Sequence, residues 1–325
     1  MEQQQRSLRF GAAMILCALL FRLFTSGVPE RIVSWLTEPN TAAFVTYLET
    51  GRNVRFSASN AVFSPQFVES PPPAIPEPTE AALPSFSDAE IIDMYNSCKK
   101  NPDVEALLQQ PLTWDLRGDE PTVLILHTHS TESYTKNGED YEETSSWRTL
   151  DEDYNMLSIG YRVGEILADN GITAIQDREL HDYPSYNGSY VDARGSIAAY
   201  LEEYPTIQLV LDLHRDAIEG SNGRQLATTA TINGQRVAQM MLVMGTNYDS
   251  WEENLALGLK LQAQLETQAP GIMRSVNLRA QRFNQDLCPG ALLVEMGAAG
   301  NTHAEAMLAA EELAAAIVAL ARGTE

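Results

Sequence analysis

His129 and Glu132 form an H-x-x-E pair just behind an apolar run, Thr122 to His127 (TVLILH). A second polar cluster, Asp212-Leu213-His214-Arg215-Asp216, closes the run from Ile207 to Leu213, and Glu295 closes a third from Ala291 (ALLVE). A charged group at the end of a buried strand is costly unless it has a partner. Three such ends in one chain point to a shared partner, and a cation would satisfy all three. Two imidazoles and one carboxylate are a ligand set of catalytic zinc, which leaves its fourth position to water. His129, Glu132 and His214 are therefore the expected Zn2+ ligands. His127 stays open as the alternative to His129, because alternation along a strand puts both on one face. Glu295 lies outside the ligand set, at the right place for a general base. Arg215 is the nearby cation that could steady an oxyanion. Asn284, Gln285 and Asp286 are candidates to line a substrate groove, although such residues are equally at home in a turn. His181, in a polar loop, and His303, near the start of the last helix, read as non-ligands. H-x-x-E alone arises often by chance; the weight lies in the pair, the strand-end His and the strand-end Glu in that order.

The elements that must position these groups follow from hydrophobic period. Unbroken apolar runs such as TVLIL, IQLVL and ALLV predict strands buried on both faces. Asn155 to Asn170 carries Met156, Ile159, Val163, Ile166 and Leu167 at helical spacing, and Asn170-Gly171 stops it. Ile172 to Ile175 is short and apolar. Further helices are expected over Val191 to Glu203, Asn254 to Gln268 and Thr302 to Leu320. Thr228 to Ile232 and Val237 to Met244 flank Asn233-Gly234, a strong hairpin signal. Strands alternating with helices imply an α/β fold, an open and mainly parallel sheet with helices on both faces. Sites in such sheets lie at the carboxyl ends of the strands.

The chain has 325 residues, with 44 acidic against 22 basic and a net charge of −22. That balance offers no footprint for nucleic acid. Cys17, Cys98 and Cys288 show no CxxC spacing, which disfavours both a disulfide framework and a cysteine zinc site. Residues 1–9 contain Arg6 and Arg9 and precede an apolar stretch within 10–27, read as an uncleaved membrane anchor, with a cleaved signal segment as the alternative. Basic residues ahead of it would hold the N-terminus in the cytoplasm and place the rest outside, as in a single-pass protein. Residues 28–63 have no strong period and read as an extracytoplasmic segment. Residues 64–86 are rich in proline and glutamate and read as an extended linker, leaving 87–325 as the catalytic domain.

Longer motifs carry a resemblance. LHTHSTESY (126–134), HDYPSYN (181–187) with Ser189-Tyr190, DLHRD (212–216), Met244-Gly245-Thr246 and NQDLCPGALLVEMGAAGN (284–301) resemble the stage II sporulation protein P (SpoIIP) family. The likeness runs from Val123 to Gly323, and the anchor and linker fit the family's layout. Cys288 departs from it, standing where the family usually has serine. The resemblance implies a zinc N-acetylmuramoyl-L-alanine amidase, with a zinc amidase/carboxypeptidase-like domain. It implies peptidoglycan as substrate, degraded at the septum during sporulation engulfment, with endopeptidase activity on the crosslinks as well. It also implies the partners SpoIID and SpoIIM. A zinc peptidase acting only on stem peptides and a non-catalytic wall-binding scaffold are the rival readings.

Overall fold

In the computed structural model, which describes residues 61–64, 92–135 and 146–323, the three apolar runs become neighbouring strands. In chain order the elements are β1 (Ala61–Phe63), β2 (Met94–Asn96), α1 (Val104–Leu108), β3 (Val123–Leu126), α2 (Met156–Asp169), β4 (Ala174–Gln176) and α3 (Ser189–Glu203). There follow β5 (Leu209–Asp216), β6 (Thr229–Ile232), β7 (Gln235–Ala238), β8 (Met240–Gly245), α4 (Trp251–Gln268), β9 (Val276–Arg279), a 3-10 turn (Gln285–Leu287), β10 (Ala291–Ala298) and α5 (His303–Arg322). The main sheet has the order β1-β4-β3-β5-β10-β8-β9-β2. Pairing is parallel except at β1–β4 and β10–β8. The fold is thus α/β with a mostly parallel sheet.

Strand alternation sorts the core into two layers. Val123, Ile125, Leu209, Leu211, Leu213, Leu292 and Val294 face the large cluster built with α2, α4 and α5. Leu124, Leu126, Val210 and Ala291 face the other way, onto Ala193, Ile197 and Tyr200 of α3. Helix α2 starts where Asn155 accepts a hydrogen bond from Leu157 N–H, and α5 starts with a Thr302–Glu305 capping box. Each satisfies N–H groups that a helix start leaves unpaired.

Several elements differ from the sequence reading. The Asn233-Gly234 turn forms as expected, with φ of 50° and 79°, but its second arm ends at Ala238. The chain breaks at Gln239, and Met240–Gly245 leaves the hairpin to fill the main sheet between β10 and β9. Strands β2 and β9 were not legible, nor was β1, which comes from the stretch read as aperiodic. Phe63 of β1 is buried and packs edge-on to Tyr161 of α2. The proposed anchor, 10–27, lies outside the described residues, as do 1–9, 28–60 and 65–86. Among the described residues no helix is long and apolar enough to cross a membrane.

Candidate active site

Strands β3, β5 and β10 lie side by side and parallel, so their carboxyl ends open on one edge. Register places Leu126 beside Asp212 and Glu295 beside His214. Leu211 and Leu213 point into the main core, so alternation turns Asp212 and His214 to the α3 face; Glu295, between Val294 and Met296, follows them. Asp212 accepts hydrogen bonds from Thr128 N–H at 2.8 Å and Thr128 Oγ1 at 2.7 Å, which fastens the β3 loop to β5. Burial opposes its ionisation, but His214 and Thr128 outweigh that and hold its pKa at about 2.

The two loop histidines part company because β3 ends at Leu126. His127 keeps the strand's α2-facing side. There its Nδ1 donates to Leu213 O at 3.1 Å, and its Nε2 accepts from Gln176 Nε2 at 3.0 Å. Both ring nitrogens are spent. The turn after it carries His129 to the opposite side, its ring 5.1 Å from that of His214 and stacked 4.6 Å from Tyr186. The expectation of a shared face fails because alternation does not survive a turn.

Glu132 is buried, with Oε2 3.7 Å from His214 Nδ1 and 3.2 Å from the Arg215 N–H that donates to it. Burial alone would raise its pKa, but Arg215, His214 and His129 together hold it below the ordinary value, as a carboxylate. The Arg215 guanidinium is turned towards the loop: Nε donates to Ser133 O at 2.9 Å and an Nη to Trp147 O at 2.9 Å and Ser146 O at 3.2 Å. It straps that loop down and neutralises Glu132, rather than reaching into the opening. Arg148 is held similarly, pairing with Asp182, lying 3.6 Å from Glu132 and resting 4.6 Å over the Tyr186 ring.

Three buried polar atoms at this centre lack a hydrogen-bond partner among the described residues: His129 Nδ1, His214 Nε2 and Glu295 Oε2. His214 Nε2 is 3.0 Å from Asp212 Oδ1, an ionic contact lying off the line of a hydrogen bond. Burial pushes His129 down to about 4. His214 is burdened by burial too, but Asp212, Glu132 and Glu295 together raise it to about 9. Burial pushes Glu295 up to about 8. Asp212 and Glu132, both held as carboxylates, thus favour positive charge at this centre. Orphaned imidazole nitrogens beside a carboxylate are the donor set that zinc takes, so these residues fit a zinc ion.

Another gathering was not anticipated. Donor atoms of Asp177, Glu179 and His181 all lie within 4.8 Å of one another, close enough to hold a metal ion, whereas those of His129, Glu132 and His214 stand wider. The tighter set is occupied internally. His181 Nε2 bonds Asp177 Oδ2 at 3.0 Å, and Glu179 Oε2 accepts from Ser196 Oγ at 3.0 Å. His181 sits in the loop the sequence suggested, but turned inward onto Asp177, a pairing four residues apart that spacing alone hints at.

Asn284, Gln285 and Asp286 are brought near the centre, yet each is engaged within the fold. Asn284 Nδ2 donates to Tyr190 O at 2.8 Å. Gln285 joins Gly245 N–H at 2.7 Å and Val243 O at 2.9 Å. Asp286 receives both Nη atoms of Arg194 at 2.8 Å. The groups packed around the histidines are aromatic: Tyr186 and Tyr190 against His129, and Phe283 behind Tyr190. The two tyrosines belong to the HDYPSYN and Ser189-Tyr190 motifs, but nothing in their spacing showed that they face the histidines.

Residues 73–318 match the family described as Stage II sporulation protein P (SpoIIP). The stage II sporulation protein P of Bacillus subtilis (strain 168) is 29% identical over 259 residues, covering 76% of this chain and 60% of that protein. The chain therefore spans less than two thirds of the length of this curated relative. Among solved structures, N-acetylmuramoyl-L-alanine amidase AmiC2 of Nostoc punctiforme aligns at 16% identity with a TM-score of 0.37, over 62% of this chain and 95% of that one. The N-acetylmuramoyl-L-alanine amidase of Clostridium difficile 630 aligns at 15% and 0.36, over 63% and 97%. The CwlD amidase of Clostridioides difficile, solved in complex with the GerS lipoprotein, aligns at 13% and 0.37, over 62% and 98%.

Proposed function

This chain belongs to the stage II sporulation protein P family, and from that premise we propose that it is a zinc-dependent peptidoglycan hydrolase of the sporulation septum. It acts as an N-acetylmuramoyl-L-alanine amidase, with endopeptidase action on the crosslinks. The observation that carries the reading is the gathering of His129 and His214, rings 5.1 Å apart, beside the buried carboxylate of Glu132, with His129 Nδ1 and Glu295 Oε2 left without hydrogen-bond partners. His129, Glu132 and His214 would hold the ion. When bound there, zinc polarises a carbonyl and acidifies water.

The chain's own residues do the rest. Glu295, half-buried and ionised once a bound cation offsets its burial, accepts a proton from the attacking water as the water oxygen bonds to the lactyl carbonyl carbon. The carbonyl π pair moves onto its oxygen. When C=O re-forms, the C–N bond breaks, and the departing nitrogen takes the proton that Glu295 carries. The products are the lactyl carboxyl group and a stem peptide with a free amino terminus. Arg215 and Arg148 keep Glu132 ionised and its loop in place, and Asp212 holds the β3 loop. The single-pass anchor at 10–27 would put this chemistry outside the cytoplasm, where the substrate is, with SpoIID and SpoIIM as partners.

The test uses the purified full-length chain. About one zinc per chain is expected, lost in His214→Ala and retained in Glu295→Gln, whose hydrolysis falls on the order of 10²-fold or more. Muropeptide analysis should show released stem peptides; opened crosslinks alone would favour the peptidase reading. Zinc lost in His181→Ala but kept in His214→Ala would move the metal to the Asp177 cluster.

A further inference from the structure

With Arg215 and Arg148 committed to the loop and to Glu132 and Asp182, the oxygen that gains charge during hydrolysis needs another donor. We infer that Tyr190 is a catalytic residue whose hydroxyl donates a hydrogen bond to the scissile carbonyl oxygen; this rests on the amidase reading above. Tyr190 is the second residue of α3, which starts where Gly188 adopts φ of 101°. Its backbone carbonyl is pinned by Asn284. The ring stands edge-on to His129 at 5.6 Å, faces His214 at 6.3 Å and leans on Phe283 at 6.0 Å. Three neighbours fix the ring, which is half-buried.

The contrast with Tyr134 is informative. Tyr134 is fully buried and its hydroxyl donates to Met296 O at 2.9 Å, a structural arrangement. Among the described residues the hydrogen bond at Tyr190 is to its backbone carbonyl, and none holds its hydroxyl. The proton stays on Tyr190 throughout; only the hydrogen bond shortens as charge develops, which is the differential binding that accelerates a step.

Tyr190→Phe keeps the ring and removes the donor. In the full-length chain on sacculi, kcat should fall on the order of 10²-fold, with KM, zinc content and Tm unchanged. By isothermal titration, a phosphinate analogue of the lactyl amide should lose affinity by a similar factor, while intact substrate on the Glu295→Gln background should not. A Tyr190→Phe variant with wild-type kcat overturns the assignment. So does one with only a raised KM, which would mark a uniform binding contact, or one that loses zinc, which would make Tyr190 a support for the ligands. A zinc-loaded wild type that leaves sacculi intact overturns the amidase reading itself, and the role of Tyr190 with it.

Discussion

Replacing Gly160 by Ala pits two effects of opposite sign against each other. In an exposed helix interior this change gains about 1 kcal/mol from propensity. In α2, however, a Cβ at Gly160 would stand 2.5 Å from both His127 Nε2 and Gln176 Nε2, and 2.7 Å from His127 Cε1. Neither side chain is free to retreat, since His127 Nδ1 is bonded to Leu213 O and Gln176 Nε2 to Leu157 O at 2.9 Å. Overpacking costs about 1–3 kcal/mol, and parting Gln176 from His127 strands a buried polar group for about 1–3 more. After the propensity gain the net loss is about 3 kcal/mol at the centre of that range. At roughly 2–4 °C per kcal/mol for a domain of this size, Tm should drop by about 6–12 °C. Urea unfolding of the wild type, Gly160→Ala, His127→Ala and the double variant provides the check. Most of the Gly160→Ala cost should vanish in the His127→Ala background, because the cavity admits the methyl group. A Gly160→Ala protein as stable as the wild type would refute the placement of His127 against α2, and with it the case for preferring His129 as the ligand.

Two further changes probe the surroundings. Asp286 is held below its ordinary pKa because the Arg194 hydrogen bonds and charge overcome its burial; a depressed carboxylate stabilises fully above about pH 3.9, and this is lost as pH falls through the folded value. Asp286→Asn should therefore cost less than about 1 kcal/mol at pH 7, Arg194 being partly solvated, and the gap in urea midpoint should close in acid with KM unaltered; a raised KM would return Asp286 to the substrate groove. Phe63→Ala should cost about 3 kcal/mol, the low end for a buried aromatic, because its ring fills the space over Gly164; an unchanged unfolding midpoint would detach β1 from the sheet.

What could be read from the residues was whatever burial writes into a local pattern. Val123–Leu126, Leu209–Leu213 and Ala291–Val294 are covered on both faces, so each is an unbroken apolar run, and the charged group ending it stands out. The strands that escaped notice are short and depend on distant partners. Met94–Asn96 is largely exposed and, among the described residues, pairs only with Val276–Arg279, where buried and half-buried residues alternate over just four positions. The site divides in the same way. Which residue types meet was visible, but not which way the side chains turn. Arg215 looked like a cation for the opening because the carbonyls of Ser146 and Trp147 that claim it are far away in sequence. Gln285 looked like a groove residue because its partners, Gly245 and Val243, lie on another strand. His181 does lie in the loop that its surroundings suggested, but its bond to Asp177 was hidden because it exists only once that loop folds inward.

The same dependence explains why the third motif runs on past its carboxylate, to Asn301. Glu295 and His214 can share a centre only if β10 and β5 hold one register to that point and then separate. The register shifts between Glu295 and Ala298, and Gly297 adopts φ of 87°, a backbone region that residues with a Cβ seldom enter. A Cβ there would stand 2.8 Å from that of Ala238 and 2.9 Å from Asn301 Oδ1. Asn301 in turn accepts from Ala298 N–H at 2.9 Å and Thr228 N–H at 3.2 Å, and donates to Thr228 O at 3.0 Å and Glu305 at 2.8 Å. One buried amide thereby ties the end of β10 to the segment entering β6 and to the first turn of α5. A bulge fixed in this way sets how far the strand advances before it turns, and so where Glu295 stops relative to His214. Proton transfer tolerates misplacement of only about 0.5 Å. On the proposed mechanism, Gly297 and Asn301 would act through the strand alone, by setting where it carries Glu295 beside His214.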